Sequence, residues 1–161
     1  MRIGLVTGEY PPMQGGVGAY SRILALELAR LGHTVFVLAG QQAREEDSRI
    51  SLANIQSGWG LSSLWSVRRW AHQHQLEVVS LQFQTAAFAM SPWIHFLPHI
   101  LRGLPVVTTF HDLRYPYLFP KAGRLRDWIV SHLAHASTGV IATNHEDFIR
   151  LQAMSRAALI P

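Results

Sequence analysis

The feature that most constrains this chain lies in its first forty or so residues. Arg2-Ile3-Gly4-Leu5-Val6-Thr7 reads as a buried strand, and Pro11-Pro12 bars its continuation as strand or helix. Gln14-Gly15-Gly16-Val17-Gly18 is a glycine-rich loop, and a helix is predicted from about Gly16 to Leu31. In that helix Ile23, Leu24, Leu28 and Leu31 fall at helical spacing, with Arg22, Glu27 and Arg30 on the other side. Gly32 is a stop signal, and residues 34–40 read as a second buried strand. Strand, helix, strand over so short a span is a βαβ unit, so the two strands are expected to be parallel.

The same rhythm continues along the chain. Strands are predicted at 78–83, 105–110, 139–143 and 157–161, with a weaker edge strand at 49–55. Helices are predicted at 61–74, 86–101, 124–136 and 145–152, the second of them bent or broken at Pro92 and Pro98. The 161 residues suit one domain, and 48% hydrophobic against 15% charged residues makes it globular. The fold class expected is α/β: a three-layer, Rossmann-like, doubly wound and mostly parallel sheet with helices on both faces.

Composition then removes function classes. The chain has no cysteine, which excludes disulfides, thiolate metal sites and a cysteine nucleophile. The formal charge of +4 comes from scattered basic residues, the longest cluster being Arg68-Arg69, so no nucleic-acid stripe is present. No signal peptide is visible, and the most apolar stretch, residues 85–101, is broken by Pro92, Pro98, His95 and His99. A cytoplasmic protein is expected. His95/His99 and His132/His135 have spacings a metal could use, but no third ligand is at hand, so no metal site is assigned.

Folds of this kind bind ligands in the crevice at the carboxyl ends of their strands. Three suggestive stretches fall there: the glycine loop, residues 82–85 including Gln82, and His111-Asp112. The glycine loop fits neither the dinucleotide fingerprint nor a P-loop. Gly15, Gly16 and Val17 either cradle an anion with bare backbone N–H groups or form a turn that needs positive φ. His111 at a strand end is placed for proton transfer or for bonding a sugar hydroxyl, or it caps the strand. Asp112 orients His111, takes a hydroxyl itself, or begins a turn. Glu9, at the exit of the first strand, either binds a hydroxyl or faces solvent. The loop at 115–120 is a lid, a substrate wall, or aromatic packing onto the core. Trp65, Trp70, Trp93 and Trp128 lie on predicted helices, where core or interface roles are the rule.

Met1-Arg2-Ile3, Glu9-Tyr10-Pro11-Pro12, Gly15-Gly16-Val17-Gly18 and the run from Leu26 to Val35 together resemble the opening of family 4 retaining glycosyltransferases of the GT-B fold. Val106-Val107-Thr108-Thr109-Phe110-His111-Asp112 is similar to the family's strand-plus-His-Asp segment. Val140-Ile141-Ala142-Thr143-Asn144-His145-Glu146 resembles its next strand, with Asn144 where serine is usual. Leu159-Ile160-Pro161 resembles the stretch that leads into a second domain.

The resemblance implies that residues 1–161 are the N-terminal, acceptor-side domain and that the C-terminal, donor-binding domain lies outside them. It implies a nucleotide-diphosphate sugar as donor, a saccharide or lipid hydroxyl as acceptor, and no metal or other cofactor. It places Gly15, Gly16 and Val17 against the donor phosphate or the acceptor, and His111 against the transferred sugar. It also implies peripheral contact with the inner face of a membrane, for which Arg68, Arg69 and Trp70, or Lys121, Arg124 and Arg126, are either basic and aromatic anchors or simply a solvated helix face, the latter being the plainer reading. Transfer by this domain alone is not expected. The alternative is a stand-alone Rossmann-like module that binds phosphate, nucleotide or a protein without catalysis.

Overall fold

Along β1 (Arg2–Thr7), successive side chains point to opposite faces of the sheet. Ile3 and Leu5 enter one buried cluster and Val6 the other. β2 (Thr34–Ala39) divides in the same way, Val35 and Val37 from Phe36 and Leu38. Strands apolar on both faces must be covered on both, and they are. α1 (Gly16–Arg30) packs on β1 and β2 through Ala25, Leu24 and Leu28. α2 (Leu61–Gln73) supplies Leu64, Val67, Trp70 and Ala71, at helical spacing, to the second cluster.

The computed structural model describes residues 1–113 and 123–160, residues 123–127 by their backbone alone. The remaining elements are β3 (Ile50–Asn54), β4 (Val78–Phe83), a 3₁₀ turn (Trp93–Phe96) running into α3 (Leu97–Ile100), β5 (Val106–Phe110), α4 (Gly123–Ala136), β6 (Gly139–Ala142), α5 (His145–Gln152) and β7 (Ala157–Leu159). α3, α4 and α5 all contribute to the cluster that α2 covers, giving a three-layer Rossmann-like fold. The expected aromatic loop at 115–120, Lys121, Pro161 and the side chains of Arg124 and Arg126 lie outside the described residues.

The sheet has seven strands in the order β3-β2-β1-β4-β5-β6-β7. Every pairing is parallel, so the expected "mostly parallel" sheet is wholly parallel among the described residues. The order reverses direction between β1 and β4. That switch point opens a crevice beyond the carboxyl ends of the two strands.

Two local features matter for the site, the first a departure from expectation. The helix expected over 86–101 forms only from Trp93 onward. Ala86 to Met90 are good helix formers, but tertiary contacts override that propensity. Phe88 is fully buried, edge-on to Trp59 at 4.7 Å, and Ala89 and Met90 sit in the left-handed region at φ 52° and 60°. The backbone of Ala87 also presses on Gly8, where an added Cβ would overlap it.

The second feature is the β2–β3 crossover, made by the irregular loop 40–49, as the polar run 41–48 leads one to expect. Glu45 anchors it. Its carboxylate, 1% exposed, accepts Tyr10 Oη–H at 2.5 Å and Arg22 Nε–H at 3.1 Å. It also accepts the backbone N–H groups of Glu46 and Asp47. Burial alone would raise the Glu45 pKa, but these hydrogen bonds outweigh it and hold the carboxyl below its ordinary range. Through Tyr10 and Arg22 the clasp ties the crossover to the glycine loop and α1.

Candidate active site

The carboxyl-end crevice holds an open cleft of about 340 Å³, lined by Gly16, Val17, Gln84, His111, Asp112 and Asn144. Four expected site residues, Gly16, Val17, His111 and Asp112, therefore meet in one place although they come from opposite ends of the chain.

The first wall is the start of α1. The N–H groups of Gly16, Val17 and Gly18 precede the helix's first internal bond, Ala19 N–H to the Gly15 carbonyl at 3.1 Å. Gly15 at the N-cap has no side chain to accept them, and no acidic residue stands in the first turn. The positive end of the helix is thus left for a ligand.

The glycines here serve different ends. Gly15 is extended at φ −161°, so positive φ does not explain it. It leaves room instead, because a Cβ there would run into the Glu9 carboxylate. Gly18 lies against the backbone of Glu9 and Tyr10, with a would-be Cβ 3.2 Å from the Tyr10 nitrogen. Gly16 has nothing within 4 Å of that position, so packing does not require it.

The second wall is His111, just past β5. Its backbone N–H continues the ladder to the Phe83 carbonyl at 3.1 Å. Its ring Nε2 lies 2.9 Å from Gln82 Oε1, and the ring of Tyr20 meets it edge-on at 4.8 Å. Burial pushes the His111 pKa down to about 4, so the ring is neutral at pH 7. Gln82, an expected ligand contact, is fully buried in the sheet behind His111 and donates to Ser80 Oγ at 2.8 Å. Glu9 stands beside Gly15, half-buried, and Asp112 is exposed at the cleft rim.

The third wall is the start of α5. Asn144 Oδ1 accepts Asp147 N–H at 2.9 Å, and Asn144 Nδ2 donates to Asp147 Oδ2 at 2.7 Å. The buried Asp147 carboxylate also accepts Leu113 N–H at 3.1 Å, fixing the chain just after His111-Asp112. Sequence reasoning assigned no site role to Tyr20 or Asn144, while Gln84 falls within the suggestive stretch 82–85. Tyr20 follows Gly16 by one helical turn, a spacing that could have flagged it.

The chain is thus a Rossmann-like, parallel α/β domain with an open helix start and a histidine lining one cleft at the carboxyl ends of its strands. The sequence model of Glycosyltransferase Family 4 matches residues 14–156, and the chain belongs to that family. It is 28% identical to alpha-monoglucosyldiacylglycerol synthase of Streptococcus pneumoniae (strain ATCC BAA-255 / R6), over 88% of this chain and 35% of that protein. Its fold resembles sucrose-phosphate synthase from Thermosynechococcus elongatus, with TM-score 0.73 and 15% identity over 99% of this chain and 47% of that one. It also resembles an alpha-glucosyltransferase solved with UDP and a 13-mer DNA containing an HMU base, with TM-score 0.57, 12% identity, and 99% and 42% coverage. The chain thus spans about a third of the curated relative and under half of these two solved chains.

Proposed function

We propose that this chain is the acceptor-side part of a nucleotide-sugar-dependent, retaining glycosyltransferase that moves a hexose to a hydroxyl acceptor. The observation that carries this reading is the meeting of the uncapped α1 start with His111 in one switch-point cleft. In a sugar transfer the leaving diphosphate gains negative charge. The first-turn N–H groups of α1 stabilise part of that charge, and no metal is required. His111 bonds the transferred sugar as a neutral ring. Glu9 and Asp112 accept hydrogen bonds from sugar or acceptor hydroxyls. A C-terminal domain outside this chain supplies the opposite wall and most donor contacts, so these residues alone are inactive.

The relative named for making a glucosyl diacylglycerol supports a glucosyl donor and a lipid-borne acceptor. In this reading the enzyme works at the cytoplasmic face of a membrane. No helix among the described residues is long and apolar enough to cross one. Trp70, expected as an anchor, is 6% exposed and packs in the core. The exposed tryptophans are instead Trp65, Trp93 and Trp128, on adjoining elements, with Arg68 over the Trp65 ring at 5.8 Å. These are the peripheral contacts we assign.

The test is His111→Ala in the whole enzyme. Turnover should fall about 100-fold while the thermal midpoint holds. Unchanged kinetics would remove His111 from the site, and turnover by residues 1–161 alone would refute the need for a wall from a second domain.

A further inference from the structure

We infer that Gln82 is a positioning residue: its side-chain oxygen keeps the His111 proton on Nε2 and leaves Nδ1 as a bare hydrogen-bond acceptor for a substrate hydroxyl. The functional half of this inference rests on the sugar-transfer reading above; the tautomer does not.

The geometry begins with β4. Ser80 and Gln82 are two residues apart and share a face of the sheet. Gln82 Nε2 donates to Ser80 Oγ at 2.8 Å, which turns Oε1 toward His111 on the neighbouring strand's exit, 2.9 Å from its Nε2. An amide oxygen only accepts, so that ring nitrogen must carry the hydrogen. Gln82 is fully buried and cannot swing away, and His111 is held in place by its backbone bond to Phe83 and by Thr143 Oγ1–H donating to its carbonyl at 3.3 Å. In a neutral ring the second nitrogen is then an acceptor. Nδ1 has no partner among the described residues and is not sealed in the core, while the ring lines the cleft.

The titratable groups on elements packed around the ring are Tyr20 of α1, Asp112 next in the chain, and Asp147 of α5, which holds the Leu113 amide. Burial is what keeps the ring neutral, with a pKa near 4. So weak a base orients a hydroxyl by accepting its hydrogen bond and takes no proton from it.

The experiment has two arms. In the protein itself, the ring-nitrogen chemical shifts of His111 should show Nε2 protonated and Nδ1 bare at pH 7. This arm needs no variant to fold. Gln82→Glu places a carboxylate against Nε2–H and should make His111 titrate about two pH units higher. In the whole enzyme, that variant should gain a new acidic limb in kcat at the raised pKa, where the wild type is flat. Gln82→Met, similar in size but without the oxygen, should lose the Nε2–H preference while keeping the thermal midpoint. A wild-type ring protonated on Nδ1, or a His111 titration unmoved by Gln82→Glu, would overturn the positioning role. A moved titration with an unchanged kcat profile would overturn its link to sugar transfer.

Discussion

Two helices begin on the same cleft and are finished in opposite ways. α5 caps itself: Asn144 accepts the Asp147 N–H of the first turn, and Glu146 and Asp147 place negative charge in that turn. α1 has a glycine at its N-cap, no capping side chain and no acid in its first turn. Both starts contribute to the cleft lining, through Gly16 and Val17 on one side and Asn144 on the other. A side-chain cap such as that of α5 adds about 1 kcal/mol; α2 also starts at a glycine, Gly60, without one, but Gly60 does not line this cleft. α1 forgoes that stabilisation and keeps three N–H groups open. What sets α1 apart is an uncapped start placed on the cleft beside His111.

The largest expected effect comes from closing the open start. Gly16→Pro removes one first-turn N–H yet suits the fold. Proline is favoured at the first helical position, Gly15 is already extended, and an added Cβ meets open space. In the whole enzyme kcat/KM should fall about 100-fold, with the thermal midpoint unchanged. Gly16→Ala keeps the N–H and only fills the space, and should lose less. Equal activity in both variants and the wild type would erase the distinction between the two helices.

Next is the clasp that positions α1. Glu45→Ala strands the buried Tyr10 hydroxyl and should cost about 2–3 kcal/mol in urea unfolding, with the half-exposed Arg22 adding little. The pH dependence has a definite sign. Glu45 is held below its ordinary 4.5 in the folded state, so its contribution is full above that value and is lost as pH falls through the lower folded pKa. His111 and His95, buried neutral with pKa values near 4, add an earlier loss. The unfolded chain takes up their protons near 6.5 and the folded one does not, so stability should drop between about pH 6.5 and 4. A urea midpoint equal at pH 7 and pH 5 would contradict this.

The smallest effect is at α5. Asn144→Ala should lower stability by about 1 kcal/mol, and Asn144→Ser should restore it, with little change in turnover. A loss of activity as large as that of Gly16→Pro would mean that α5, too, serves the ligand.

How much of this was legible follows the same division between local and tertiary causes. β4 and α5 read correctly from the sequence because local pattern and tertiary fit agree there: an apolar run in one, a capped amphipathic turn in the other. Residues 86–92 misled because the burial of Phe88 and the approach of Gly8 to Ala87 are set by chain elsewhere. In the site, Gly16, Val17, His111 and Asp112 were legible because strand ends in this fold converge. Gln82 was picked out by the same rule, but its side chain turns into the sheet and not into the cleft. Tyr20 and Asn144 join the site only once the first turns of α1 and the exit of β6 are brought to His111 at the end of β5.

The most direct test of the central claim is an amide-resolved titration of this chain with UDP. The account expects the amide signals of Gly16, Val17 and Gly18 to shift while those of Glu146 and Asp147 stay fixed. Saturation should come only at roughly millimolar UDP, because one wall binds weakly. Shifts at the start of α5 instead, or saturation at micromolar UDP, would contradict it.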